Sequence, residues 1–201
     1  MAALDDPFEI PDAALLLAAA SGELERVVSA LASGARVAAR DVRGRSALLL
    51  AVHANHCEVA RLLIAHGADP DATDDRLDTP WLATGVTGSV EMLEVLLPAE
   101  PDLTQKNRYG GVSIIPASER GHVEYVRRVV STGIDVNHVN DLGWTALLEA
   151  VILGDGTSRY QEIVRILLAA GADGQLADRE GVTAFQHAQA RGFHDLAEVL
   201  A

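Results

Sequence analysis

The strongest constraint on this chain is a repeat of 33 residues in its sequence. An apolar residue that follows a Ser/Thr-Ala/Pro-like pair recurs with this period, except for a last step of 38 residues. Its positions are Leu15, Leu48, Trp81, Ile114, Leu147 and Phe185. An acidic residue recurs with the same steps, and a glycine ends most units with the same period. Because three registers agree, we expect an array of similar structural units rather than one irregular core.

Each unit is predicted to be a turn followed by two short helices. The turn signal, as in residues 41–44, pairs an Asp or Asn that can bind backbone N–H groups with a glycine that accepts a positive φ. A Ser or Thr suited to cap a helix comes next, and Pro80 suits the first position of its helix. A Gly-His or Asn-His corner, an amphipathic second helix and a terminating glycine complete the unit. The capping residues are Ser46, Thr79, Thr145 and Thr183.

Four motifs resemble those of the ankyrin repeat family. They are Thr79-Pro80-Trp81, Gly121-His122-Val123-Glu124, and the runs at residues 61–69 and 163–173. The resemblance covers about residues 12–201, and residues 110–122 and 142–156 are similar to stretches of a bacterial subgroup. It implies an all-α fold, an ankyrin-repeat solenoid of stacked helix-turn-helix units with projecting β-turn fingers, whose first helices line a concave face.

We expect residues 1–11 to form an N-terminal leader segment and residues 12–201 a single repeat domain. Its six units span about 12–37, 38–71, 72–104, 105–137, 138–175 and 176–201, with the first and last as caps. The third unit is the least regular, because Leu77 replaces the turn glycine, Gly85 and Gly88 dilute the first helix, and Pro98 shortens the second. This unit is therefore predicted to be the soft joint of the array.

Two further departures concern units four and five. In unit four, a cap at Ser113 would make Pro116 the third helical residue, where its missing N–H costs nothing, so this helix is predicted to start late. In unit five, the five extra residues 155–159 lie between the two helices. A tolerated surface insertion is favoured there over a dedicated contact loop.

Composition and charge restrict the function classes. The chain carries 29 acidic and 16 basic residues, a net charge of −13, which opposes binding to nucleic acid and to anionic membranes. It has no apolar run of membrane-spanning length, and its first ten residues lack the basic start of a secretory leader, so a cytoplasmic monomer is expected. The single Cys57 cannot form an intramolecular disulfide or a Cys-rich zinc motif.

The sequence offers little catalytic chemistry. His53 and His56 are spaced for one helical turn, but a third metal ligand is missing from the pattern. The resemblance implies a structural hydrogen bond for His56 and for His122. No phosphate-binding glycine loop, serine elbow or HExxH motif is present. We therefore expect no enzymatic activity, no cofactor and no metal.

The resemblance places variable positions at the fingers and at the ends of the first helices. Thirty such positions carry nine basic and five acidic residues, a net charge of +4 on an otherwise acidic chain. Aromatic residues and arginines are common binding hot spots, so partner binding is predicted at this face. The candidate residues are Arg40, Arg43, Arg45, Arg76, Lys106, Arg108, Tyr109, Arg120, Asp141, Leu142, Trp144 and Arg179.

The preferred hypothesis is a non-catalytic protein-protein interaction module that binds an acidic or amphipathic segment of another protein. Tyr109, Leu142 and Trp144 would anchor the segment, and arginines such as Arg43 and Arg108 would steer it. One alternative is the binding or hydrolysis of an anionic small molecule in the concavity, and another is a partner on the convex side. In a further interpretation the finger arginines only keep exposed turns soluble and Trp144 packs on a neighbouring finger.

Overall fold

A computed structural model describes residues 9–201, in which twelve α-helices alternate with turns. Helix α1 begins inside the expected leader, and residues 1–8 of that leader lie outside the described residues. Across 9–201, β geometry is confined to two isolated bridges, and no helix is both long and apolar enough to span a bilayer. The helices are α1 Glu9–Ser21, α2 Leu24–Ala32, α3 Ala47–His53, α4 Cys57–Ala65, α5 Pro80–Thr87, α6 Val90–Leu96, α7 Ile114–Glu119, α8 Val123–Val129, α9 Ala146–Ile152, α10 Ser158–Ala169, α11 Ala184–Ala190 and α12 His194–Leu200.

The chain divides into two compact bodies, and the division falls in the third repeat. The N-terminal body contains the described residues up to 84 together with 91–102, and the C-terminal body contains 85–90 and 103–201. In the N-terminal body α1 packs on α2 and α3, and α4 packs on α2 and α3. In the C-terminal body α9 packs between α7 and α11, and α10 packs between α8 and α12. Within each body, equivalent helices of successive repeats therefore stack on one another.

The repeating apolar residue forms the core of this stacking. Leu15, Leu48, Trp81 and Ile114 are fully buried, and Leu147 is nearly so. Their period matches the helix stacking within each body, so five of the six repeats bury the side chain at this position. Phe185, in the last repeat, is only half-buried.

The four predicted capping residues are confirmed. The side chains of Ser46 and Thr145 accept hydrogen bonds from backbone N–H groups three residues on, and Thr79 does the same at the start of α5. Thr183 forms a reciprocal capping box with Gln186. Each cap satisfies a backbone donor that a helix start leaves unpaired.

The late start of α7 is confirmed, but capping by the Ser113 side chain is wrong. The helix begins at Ile114, which makes Pro116 its third residue. Ser113 itself has helical dihedral angles, φ −57° and ψ −28°, whereas a capping residue needs an extended backbone to turn its side chain toward the helix. Its buried hydroxyl has no hydrogen-bond partner within residues 9–201.

The insertion in the fifth repeat is partly helical. Asp155 Oδ1 accepts hydrogen bonds from the backbone N–H of Thr157 at 3.1 Å and from its hydroxyl at 2.6 Å, which closes a short turn. Helix α10 then starts at Ser158, so the last two inserted residues belong to its first turn. The Tyr160 hydroxyl donates to the carbonyl oxygen of Glu119 at 2.9 Å and attaches this helix to α7. Two of the five extra residues thus lengthen a packed helix, and the other three form the turn before it.

The third repeat carries backbone strain where its glycines are missing. Leu77 and Glu100 have φ values of 61° and 51°, in the left-handed region. Helix α6 ends at Leu96 and is followed by a 3-10 turn that contains Pro98, which confirms the predicted shortening. A side chain in the left-handed region costs roughly 1–2 kcal/mol. The predicted softness of this repeat has a local physical cause in these two residues.

Replacement of Leu77 by glycine should therefore stabilise the protein by about 0.5–1 kcal/mol, which is the relieved strain less the extra chain entropy of glycine. The side chain is 52% exposed, so little burial is lost. Urea unfolding followed by circular dichroism measures the change. Leu77→Ala is the control, since it keeps the Cβ atom and the strain. Equal stability of the two variants would show that the φ of Leu77 costs nothing.

Candidate functional site

Each finger is built around one Asp or Asn side chain. In the fourth finger, Asn140 Oδ1 accepts hydrogen bonds from the backbone N–H groups of Leu142 at 2.9 Å and Trp144 at 3.0 Å. These two hydrogen bonds to the backbone close the turn and hold the residue at its tip in a defined position. The equivalent residues of the other fingers are Asp41, Asp74, Asn107 and Asp178.

Neighbouring fingers are also joined to each other. In the N-terminal body the backbone N–H of Asp75 donates to the carbonyl oxygen of Arg43 at 3.0 Å. In the C-terminal body the backbone N–H of Asp141 donates to the carbonyl oxygen of Tyr109 at 2.9 Å, and the Arg179 guanidinium donates to the carbonyl oxygen of Asp141. The candidate residues Asp141 and Arg179 thus serve to connect fingers as well as to present charge.

Two further candidate arginines are engaged within the N-terminal body. The Arg40 guanidinium donates to the carbonyl oxygen of Gly44 at 2.8 Å and also to that of Thr73. Half-buried Arg45 forms an ion pair with Asp41 at 2.6 Å. A partner would have to break these internal bonds to recruit either guanidinium.

The other finger cations are exposed. Arg108 lies over the ring of Tyr109, with 4.6 Å between the guanidinium carbon and the ring centroid. The remaining four have side chains without a hydrogen bond or ion pair in the part of the chain that the structure describes. They are Arg43, Arg76, Lys106 and Arg120.

A cleft of about 260 Å³ lies on the finger side of the C-terminal body; we call it the Glu149 cleft. The third and fourth fingers form one wall of the cleft, and residues of α7 and α9 form the other. Three large side chains that line it remain open to solvent: Tyr109 is 53% exposed, and Leu142 and Leu153 are each 49% exposed. Trp144 is half-buried and is not among the lining residues. The cleft thus brings together two of the three predicted anchors.

Glu149 is a buried carboxyl group that lines this cleft. It is only 5% exposed, and its Oε1 accepts a hydrogen bond from Asn140 Nδ2 at 2.9 Å. Because Asn140 Oδ1 already binds two finger N–H groups, the amide of Asn140 can only face Glu149 with its NH₂ group. Within residues 9–201 the second carboxylate oxygen of Glu149 accepts no hydrogen bond.

Electrostatics keep Glu149 partly protonated near neutral pH. Burial raises the pKa of Glu149 most, the negative charge of Glu119 raises it as well, and the Asn140 hydrogen bond lowers it; together they give a pKa of about 7. Among the described residues, no cationic group acts on this carboxyl. A pair of carboxyl groups in such a cleft can hold a cation or transfer a proton.

Sequence reasoning missed Glu149. The residue nine places after the finger Asp or Asn is Leu50, Ala83 and Pro116 in repeats two to four, so Glu149 is the acidic exception in this register. In the last repeat this place is taken by His187, whose Nε2 lies 2.6 Å from Asp178 Oδ2. An alignment of the repeats at this register would have singled out Glu149.

The structural interpretation of the corner histidines is confirmed for His122 alone. Its ring packs against Gly88, and its Nε2 lies 3.1 Å from the carbonyl oxygen of Val86. The ring of His56 packs against Gly22 but makes no side-chain hydrogen bond to another described residue. Packing over a glycine, not the hydrogen bond, is thus what these two corners share.

Comparisons with known proteins agree with this architecture. The family model described as ankyrin repeats (3 copies) matches residues 4–74 and 81–178. YahD, an ankyrin repeat protein of Escherichia coli (strain K12), is 38% identical over 186 residues, which are 92% of each chain. The crystal structure of an ankyrin repeat domain from Acinetobacter baumannii AYE is 47% identical, with a TM-score of 0.88 over 92% of this chain and 95% of that one.

A second solved ankyrin repeat protein is 38% identical, with a TM-score of 0.89 over 94% of this chain and 96% of that chain. These similarities confirm the expected fold class, an all-α ankyrin-repeat solenoid. Because the family model covers most of the chain and two solved relatives share both its sequence and its fold, this protein belongs to the ankyrin repeat family.

Proposed function

We propose that this chain is a non-catalytic protein-binding module that contacts its partner through the finger side of the C-terminal body. The observation that carries the proposal is the group of exposed apolar side chains around the Glu149 cleft: Tyr109, Leu142 and Leu153. Ankyrin repeats generally mediate protein-protein interaction, which is the class of function that this surface suits.

The exposed group has the properties of a binding centre. Two of its members, Tyr109 and Leu142, lie on turns whose backbone is fixed by Asn107 and Asn140. Little conformational entropy of these two turns is therefore lost when a partner covers them. Clustered apolar exposure beside a cleft is a common mark of an interaction surface, and aromatic residues are frequent hot spots.

The charged surroundings favour an amphipathic partner segment. Lys106 and Arg120 adjoin the cleft residues Asn107 and Glu119 in sequence, and both are exposed without internal bonds to other described residues. Acidic residues of a partner would gain from these cations at the rim, while its apolar residues cover Tyr109. Rim charges act mainly on association, so the association rate should fall as salt is added.

The alternative of an anionic small molecule receives no support from this cleft. Glu119 and Glu149 both line it, and an anion would meet their negative charge. The lining also contains no Ser, Thr, Cys, His or Lys within the described part of the chain, so its side-chain nucleophiles are limited to the Tyr109 hydroxyl and the two glutamate carboxylates.

The double variant Tyr109→Ala, Leu142→Ala should bind the partner about 30–150 times more weakly, since each lost anchor is worth about 1–1.5 kcal/mol. Quantitative mass spectrometry of proteins captured from a lysate of the source cells identifies the partner, and titration of the purified pair measures the loss.

The matched control is the double variant Leu24→Ala, Val28→Ala on α2, which removes two exposed apolar side chains in the other body. It should bind like the natural chain. Equal recovery of the same partners by both double variants would show that the partner binds elsewhere.

A further inference from the structure

We propose that the Glu149 cleft receives a basic side chain, the guanidinium of an arginine or the ammonium of a lysine, which a segment of the partner protein presents. The inference rests on the proposed function and specifies which partner chemistry this site recognises. It adds a cationic residue to the amphipathic segment, at the cleft that Glu119 and Glu149 line.

Glu149 lacks the partners that a buried carboxyl group usually has. A carboxyl group that is 95% buried normally has a cationic partner or a full set of hydrogen-bond donors. Glu149 has one donor, the amide of Asn140, and its second oxygen has none among residues 9–201. Because Glu149 lines the cleft, a group that enters the cleft can supply the missing hydrogen-bond donor and positive charge.

The cleft is lined by two carboxyl groups, because Glu119 lies in its lining as well as Glu149. No described cation is among the groups that act on Glu149. A cation between two carboxyl groups favours their charged forms and offsets the repulsion between them. Arginine suits two carboxyl groups because its planar fork donates several hydrogen bonds at once, and lysine offers three donors at a point.

The size and form of the opening also restrict what can enter it. A volume of about 260 Å³ is below the range of about 300–1,000 Å³ that is usual for small-molecule pockets, but it admits the end of one long side chain. Leu142 and Leu153 at the opening suit the aliphatic stem that carries the charge of arginine or lysine. The acidic floor and apolar mouth together match a long basic side chain.

The test begins with selection of random displayed peptides on the full chain at pH 8, above the pKa of Glu149. Selected peptides should share one basic residue flanked by apolar residues. The tightest peptide is then synthesised with its arginine, and again with the neutral isostere citrulline in that place. We expect citrulline to weaken binding to the natural chain at least tenfold.

The variant Glu149→Gln separates a direct charge contact from a general effect. It keeps an oxygen that can accept the Asn140 hydrogen bond, so the finger should stay intact, which circular dichroism checks. Its binding should be nearly indifferent to the exchange of arginine for citrulline. The control Glu198→Gln, an exposed carboxyl on α12, should keep the tenfold difference.

Other outcomes would contradict the basic side chain alone or the proposed function as well. Peptides that lose binding to the variant Tyr109→Ala, Leu142→Ala but tolerate citrulline would overturn the basic side chain and leave the proposed function intact. Peptides indifferent to that double variant, or a selection without binders, would overturn both. Free agmatine that binds as tightly as the peptide would show that the occupant is a small amine and not a partner side chain.

Discussion

Replacement of Gly85 by alanine is expected to lower the free energy of unfolding by about 3 kcal/mol, although the same exchange in an exposed helix raises it by about 1 kcal/mol. A Cβ atom at this position would lie 1.9 Å from the carbonyl oxygen of Ser113 and 2.8 Å from its carbonyl carbon. The obstacle is backbone, which cannot rotate away as a side chain can. Helix α5 or the start of α7 would have to shift.

Urea unfolding of the two proteins measures this difference. Gly174→Ala is the matched control, because its new Cβ atom would meet only Leu168 Cδ2 at 3.8 Å, an ordinary contact. It should change stability by less than about 1 kcal/mol. A Gly85→Ala protein as stable as the Gly174→Ala protein would mean that α5 does not approach Ser113 this closely.

The second large effect is a pH-dependent stabilisation by Glu149→Gln. Folding raises the pKa of Glu149 from its ordinary value of 4.5 to about 7, mainly through burial. A raised pKa contributes stability that is fully present below pH 4.5 and lost as the pH rises through about 7. Since one pKa unit corresponds to about 1.4 kcal/mol, the natural chain should lose about 3–4 kcal/mol from this group by pH 9. Glutamine does not ionise and avoids the loss.

The expected result is therefore equal stability of the natural chain and the variant at pH 4.5, and a variant more stable by about 3–4 kcal/mol at pH 9. Urea unfolding at both pH values provides the comparison, and the difference between the two proteins cancels the other titrating groups. A stability difference that is the same at both pH values would contradict a raised pKa for Glu149.

Much of the site could be predicted because local rules control it. The Asx turns and the four capping residues depend on hydrogen bonds within a few residues, so the turn at Asp41 and the cap at Thr145 are predictable from residue type and spacing. Ser113 was misjudged as a side-chain cap because its own dihedral angles are set by its neighbours in space, and the close approach to Gly85 is part of that environment.

The finger arginines show the same limit at the candidate site. Their number and charge follow from the sequence, and the exposure of Arg43 and Arg76 agrees with it. The hydrogen bond from Arg40 to the carbonyl oxygen of Thr73 in the next finger could not be predicted from the sequence, because the acceptor lies 33 residues away and belongs to the backbone. A carbonyl oxygen carries no residue identity, so no sequence pattern reveals this bond.

The repeated turn and cap motifs determined the positions of the turns, and the 33-residue period determined the buried apolar register, because a repeat that cannot bury its own apolar face must stack on a copy of itself. The fold class followed from the resemblance of these motifs to ankyrin repeats. Only the tertiary structure decided that Glu149 is buried beside Glu119 with no cation from the described residues acting on it, and that Gly85 allows two backbone segments to touch. Both depend on distances between different repeats, which side-chain spacing along one chain does not specify.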